Sequence, residues 1–329
     1  MDPQVQQRMM LYAGLIPGAL SFILLLGAWY LHALRASKTD LDGPDTERAV
    51  SAGPRWLLPM LLVVGIAGAE YAQNYGFKLW PDDNTYRFTH AAVLIALAAI
   101  AEGLVRMPLF GAMVLRLLAY AGAFWMLTEG YTETVLGGSA DLIGYTLFAA
   151  IATTLVATGI DRIASQNHHE REFGWLDALS WVVILGATMP VLLENNFAMG
   201  AMYPAGPVSV LVSAALVGLV FRSFSLSRGG VTMLVGFFMT MLAGVIVQAG
   251  VASLPSVLLA SALPLVLLVP LHTPSRIKRL LARVALIALV GGAAMATIHA
   301  PKLPFGSGVD EPPDDTSGGS TEDYYNSLE

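Results

Sequence analysis

Two groups of polar side chains interrupt a chain that is otherwise almost wholly apolar. The first is Glu70 with Gln73, Asn74 and Tyr75. Spacings of three and four residues put Glu70, Gln73 and Asn74 on one helical face. That face lies inside an apolar run, where a lipid-facing carboxylate is disfavoured. Glu129, Glu133, Asp141 and Glu194 fall at the ends of other apolar runs on the same side. Such carboxylates could line a vestibule for a cation or an amine-bearing substrate, with oxygen ligands from several helices. Two of them held close could instead share a proton. A solvated interface would also place acids at helix ends, so the vestibule and the plain interface predict the same pattern. Glu70, Glu129, Glu194 and Asn74 are the pathway candidates.

The second group is Glu102 and Arg116. They flank the short break Arg106-Met107-Pro108-Leu109, where proline suits a tight turn better than a continuous helix. A hairpin there sets the two charges at nearly the same depth on adjacent antiparallel helices. An ion pair is expected, as a structural staple of the hairpin or as a gating or proton-coupling pair. An arginine reaching toward lipid phosphates is the other structural reading.

Little else could do chemistry. The chain has no cysteine, which removes disulfides, thiolate metal sites and cysteine nucleophiles. Its six histidines show no metal-ligand spacing. No G-x-S-x-G, H-E-x-x-H or Walker sequence occurs. No catalytic residue, metal site or cofactor is assigned, and nothing resembles a nucleic-acid surface.

The elements that must position these residues follow from hydropathy. Of the 329 residues, 55% are hydrophobic and 13% charged, against about 25% charged in soluble proteins. Apolar runs of some twenty residues recur at 11–34, 56–75, 88–105, 110–128, 142–160, 175–193, 202–221, 231–250, 254–271 and 280–298. About twenty such residues cross a bilayer as a helix. Barrel strands would alternate apolar and polar, and these runs do not. The expected fold is an all-α, polytopic transmembrane bundle of about ten spans. The first apolar run is too long for a signal peptide and is read as a retained span.

Lysine and arginine resist translocation. Thirteen of the eighteen bases fall in alternate connections that begin with residues 35–55. Only Arg8, Lys78, Arg87 and Lys302 fall on the other side, and Arg116 lies within a span. Both termini are therefore expected on the exoplasmic face of a cell membrane, taken as a bacterial inner membrane. Residues 1–301 form the transmembrane domain. Residues 302–329 carry seven acids among Gly, Pro and Ser, and read as a disordered acidic tail. That tail, or the transmembrane face, could meet a membrane-protein partner.

Residues 56–163 and 175–277 look faintly alike. Trp56-Leu57 answers Trp175-Leu176, and Gly103-Leu104-Val105 answers Gly218-Leu219-Val220. Four spans per unit would make a parallel duplication, flanked by spans 11–34 and 280–298. Pro190, Pro264 and Pro270 fall late in spans six and nine, where a kink could free carbonyls toward a cavity. Two function classes follow. A permease of unknown substrate fits the span count, the prolines and the scattered ionisable groups. A structural or accessory subunit of a membrane complex fits the smooth apolar helices and the acidic tail.

Overall fold

The computed structural model describes residues 3–39, 54–74, 87–105, 107–129, 139–166, 174–195, 197–221, 224–249, 254–269 and 275–299. Among the described residues there are helices and no strands. A backbone in hydrocarbon must satisfy its hydrogen bonds internally, and a helix does so within one segment. The helices are α1 (Pro3–Arg8), α2 (Ile16–Thr39), α3 (Leu57–Asn74), α4 (Phe88–Leu104), α5 (Leu109–Thr128), α6 (Ser139–Gln166) and α7 (Gly174–Glu194). Then follow α8 (Ala198–Met202), α9 (Ala205–Val220), α10 (Gly229–Gly244), α11 (Leu254–Ser261) and α12 (Arg276–His299).

Each of the ten apolar runs is largely helical over its described residues. Among the described residues, seven helices are long and apolar enough to cross a membrane; Leu57–Gln73, Phe88–Leu104 and Leu254–Leu268 are shorter apolar helices. This is compatible with an integral, multi-pass membrane protein. Residues 1–298 form one compact unit. The acidic tail, Pro270 and the side chain of Asn74 lie outside the described residues.

At the centre stands α10, buried at every residue but Met239, which is half-buried. It packs against α3 to α7 and α11. Its neighbours turn large apolar side chains outward, among them Phe110, Phe148 and Leu118. Lipid accounts for such a surface, which water would not tolerate.

Several elements depart from the expected bounds for identifiable reasons. The first rod runs from Pro3 to Thr39, with a π-helical stretch over Met9–Leu15. Pro17 has no N–H to donate to the Ala13 carbonyl one turn back. Ser209 of α9 fills that gap, donating to Ala13 O at 3.0 Å, and Ser213 donates to Gly18 O at 2.8 Å. Pro264 ends α11, and the chain tightens into a 3₁₀ helix over Leu263–Leu268. Pro190, by contrast, lies inside α7, which is helical on both sides of it, and is exposed. α6 reaches Gln166, six residues past the apolar run, and thereby carries Asp161 on its last turns.

Three close approaches fix the bundle. α3 crosses α9 at Gly65 and Gly206, where a Cβ on Gly65 would stand 2.8 Å from the Gly206 carbonyl carbon. A Cβ on Gly103 would lie 2.9 Å from the backbone nitrogen of Trp56, and one on Gly218 would lie 3.0 Å from that of Trp175. The same glycine-on-tryptophan contact thus occurs at the matching end of two hairpins, α3–α4 and α7–α9.

Candidate functional site

The two polar groups occupy opposite ends of α3. Glu70 lies near its C-terminus, while Gly103, next to Glu102, packs on Trp56 at its start. Fourteen residues of helix between Trp56 and Glu70 span about 21 Å.

At the first end Arg116 sits two turns into α5 and is 1% exposed, and Glu102 is 3% exposed. Pro108, extended at the N-cap, starts α5 and folds it back on α4. The guanidinium grips Glu102 with two bonds, Nε to Oε1 at 2.9 Å and Nη2 to Oε2 at 2.7 Å. This forked geometry is the strongest arginine–carboxylate contact. Nη2 also donates to Asp161 Oδ2 at 2.9 Å, and Nη1 to Thr158 Oγ1 at 3.1 Å. Thr158 and Asp161 share one face of α6 by their three-residue spacing. The Thr232 hydroxyl, in the first turn of α10, donates to Glu102 Oε2 at 2.8 Å. Tyr120, one turn beyond Arg116, donates to the Thr232 carbonyl at 2.8 Å.

Asp161 has a second task. Its Oδ1 accepts the backbone N–H of Arg228, the residue just before α10. Arg228 has φ 64° and ψ −122° and makes no side-chain cap of its own. A carboxylate from another helix therefore caps α10, where the helix dipole favours negative charge. The cluster holds two carboxylates, one guanidinium and one helix N-terminus, linking α4, α5, α6 and α10. Each of its four carboxylate oxygens accepts a hydrogen bond.

The Glu102–Arg116 contact is the one expected from sequence. The sequence pattern does not point to Asp161, Thr158, Thr232 or Tyr120 as its partners. Asp161 gave one usable signal, an acid on the side of the bundle where bases predominate. The threonines gave none, because only packing between non-adjacent helices brings them in.

At the other end Glu70 is 2% exposed. Thr89 and His90, in the first turn of α4, lie beside it, and the buried Thr89 hydroxyl has no hydrogen-bond partner among the described residues. Its Oε2 is buried with no hydrogen-bond partner among the described residues, and so is the amide nitrogen of Gln73 one turn on. Phe88, adjacent to Thr89, stacks on the fully buried Tyr203 at 5.1 Å between ring centroids. Arg8 closes the outer edge, 5.4 Å from the Tyr71 ring centre and donating to the Tyr71 carbonyl at 3.4 Å.

The other pathway candidates are placed differently. Glu129 has a side chain 58% exposed and lies 3.7 Å from Arg87. Glu194 ends α7 and is exposed. Neither is buried with Glu70. The cause is ordinary: both acids stand at helix termini, where water solvates them, whereas Glu70 lies a turn inside α3. Asn195, buried beside Glu194, is held by α7 and α11 through Val191 O at 2.8 Å and Ser256 Oγ at 3.3 Å.

No group of three or more His, Asp or Glu positioned for a metal occurs among the described residues. Comparison with protein-family models, curated proteins and solved structures finds no match to this chain.

Proposed function

We propose that the chain is a ten-span integral membrane protein with both termini exoplasmic, and that it is a permease whose pathway passes Glu70. The observation that carries this reading is the buried, half-satisfied Glu70 carboxylate, with Gln73, Thr89 and His90 around it. A buried anion without full hydrogen bonding costs several kcal/mol (roughly 3–5 where a partner has been removed). Such a cost is retained where the group meets a solute, an ion or water during a working cycle. Irregular helix supports the same end of the bundle. The π-helical stretch at Met9–Leu15 lies against α3 and α9, and a second one, Val245–Ala249, prolongs α10. π-Bulges recur at functional positions. The repeated glycine-on-tryptophan contact supports the parallel duplication of residues 56–163 and 175–277. The alternative of an accessory subunit is favoured by α12, whose Leu289 is 70% exposed and where a Cβ on Gly292 would meet no neighbouring element within 4 Å. A partner helix could pack there.

Two experiments test these statements. A reporter fused after Glu329 will be active only as an exoplasmic marker, and one inserted near Gln166 only as a cytoplasmic marker. Two reporters on one side would overturn the topology. Glu70→Gln will slow transport by about tenfold or more, equivalent to about 1.4 kcal/mol on the barrier, while the thermal midpoint in detergent stays unchanged. Accumulation of candidate solutes by cells expressing either form supplies the readout. An unchanged rate for a transported solute would remove Glu70 from the pathway. A lowered midpoint would make it a structural residue.

A further inference from the structure

Burial at the Glu70 end extends beyond the carboxylate. Thr89, on α4, is also 2% exposed, and its hydroxyl has no hydrogen-bond partner among the described residues. The Gln73 amide nitrogen, on the same face of α3 as Glu70, is a third such atom. Arg87, at the N-cap of α4, makes no side-chain cap, and the Glu70 carboxylate lies against the Thr89 backbone instead. The helix dipole favours a carboxylate there. Capping does not use the whole group, because Oε2 stays without a partner.

The neighbours decide what that oxygen can bind. A divalent metal would ask for several acidic or imidazole ligands, and no group of three occurs among the described residues. An organic solute would need a cavity. A proton needs neither. A hydroxyl both donates and accepts, so Thr89 can serve Glu70 in either state, donating to the carboxylate and accepting from the acid. His90, also beside Glu70, is half-buried, and an imidazole exchanges protons with water near neutral pH. His90 shares a helical face with Arg87, three residues earlier, and Arg87 lies 3.7 Å from Glu129 at the exposed rim. Transfer between the two groups breaks an N–H bond of the imidazolium and forms an O–H bond on Oε2. The pair then passes from two opposite charges to none, so its net charge never changes. The other ionisable groups on elements packed against α3 are Arg8 and Tyr12, both on Tyr71 at the outer edge, and Tyr203, stacked on Phe88. α9 and α10 carry none, and those of α2 begin at Tyr30, toward its far end. We propose that Glu70 is a reversible proton-binding site, exchanging its proton with His90 beside the Thr89 hydroxyl, and that this proton drives transport. Proton binding stands by itself; its coupling to a solute rests on the permease reading.

Infrared difference spectra of the full-length protein in lipid nanodiscs, recorded after photolysis of a caged proton, test the proposal. A buried carboxyl that gains a proton shows a carbonyl stretch above that of solvated acids. The unsubstituted protein will show this band, and Glu70→Gln will lack it. Thr89→Val will shift the band by removing a hydrogen bond, and Thr89→Ser will restore it. His90→Gln will slow its appearance by about a hundredfold, the lower end of what a positioned proton donor supplies. If no band is lost in Glu70→Gln, the proposal is overturned, and Glu70 is a permanently ionised cap or the ligand of a bridging water. A band indifferent to both Thr89→Val and His90→Gln overturns the exchange route. Should Glu70→Gln not fold, Glu70→Asp must shift the band, and an unshifted band overturns the assignment. Transport that requires Glu70 without any such band removes the proton and leaves the permease. A band lost in Glu70→Gln with transport unchanged upholds proton binding and removes the permease.

Discussion

Replacing Arg116 by leucine will destabilise the protein by about 3–5 kcal/mol, the usual loss when one partner of a buried ion pair is removed. The geometry makes the loss asymmetric. Arg116 is the shared cation of two carboxylates, so its removal leaves Glu102 and Asp161 facing each other. Glu102→Leu leaves the Arg116–Asp161 pair standing and will cost less. Arg116→Lys will not rescue, because a lysine ammonium cannot hold a forked bond to Glu102 and reach Asp161 and Thr158 together. Adding Glu102→Leu to Arg116→Leu will recover part of the loss, since Asp161, 17% exposed, can then find water. Non-additivity of this kind is the signature of coupled residues. Thermal unfolding of the four proteins in one detergent gives the answer. Equal losses for Arg116→Leu and Glu102→Leu would mean that the two carboxylates do not share the cation.

The second large effect concerns Gly206. A Cβ there would overlap the carbonyl oxygen and carbon of Gly65. Both obstacles are backbone, so no rotamer change relieves them and α9 must move away from α3. Overpacking costs about 1–3 kcal/mol and occasionally more; Gly206→Ala should fall in that range and Gly206→Val above it. The displacement would also strain the bonds from Ser209 and Ser213 to α2 and its preceding turn. Helical glycines with open space give the control. Gly144 and Gly186 have nothing within 4 Å of a built Cβ. Alanine at either should be neutral or stabilising by up to about 1 kcal/mol, from helix propensity alone. Thermal midpoints of Gly206→Ala and Gly186→Ala, side by side, test the crossing. Similar values would show that α3 and α9 do not meet there.

Hydropathy makes the helices of this protein legible, because lipid imposes one rule on every run. The Glu102–Arg116 contact is legible for a related reason: Pro108 forces a short turn, and a short turn fixes depth. Asp161 and Thr232 could not be foreseen in the same way. They come from α6 and α10, and sequence does not reveal which non-adjacent helices touch. The π-helical turn at Met9–Leu15 was hidden as well. Pro17 announces a missing donor, but not that Ser209, nearly two hundred residues later, replaces it. Glu70 was readable as inward-facing from its polar neighbours at three and four residues. Glu129 and Glu194 share its side of the membrane in sequence but not its burial. Linear position gives depth without giving the direction in which a side chain points.

The enclosed position of α10 has a consequence for how the chain is made. It is the eighth apolar segment to leave the ribosome, and it becomes the hub around which six others stand. Until it arrives, the space it fills among the earlier helices has no protein occupant. Glu102 is not exposed to that space as a bare charge, because Arg116 lies in the same hairpin and is synthesised fourteen residues later. Asp161 then holds one oxygen in reserve for the start of α10, and Thr232 completes Glu102. A nascent chain stopped before Arg228 thus lacks both the N–H that Asp161 Oδ1 accepts and the hydroxyl that Thr232 gives to Glu102.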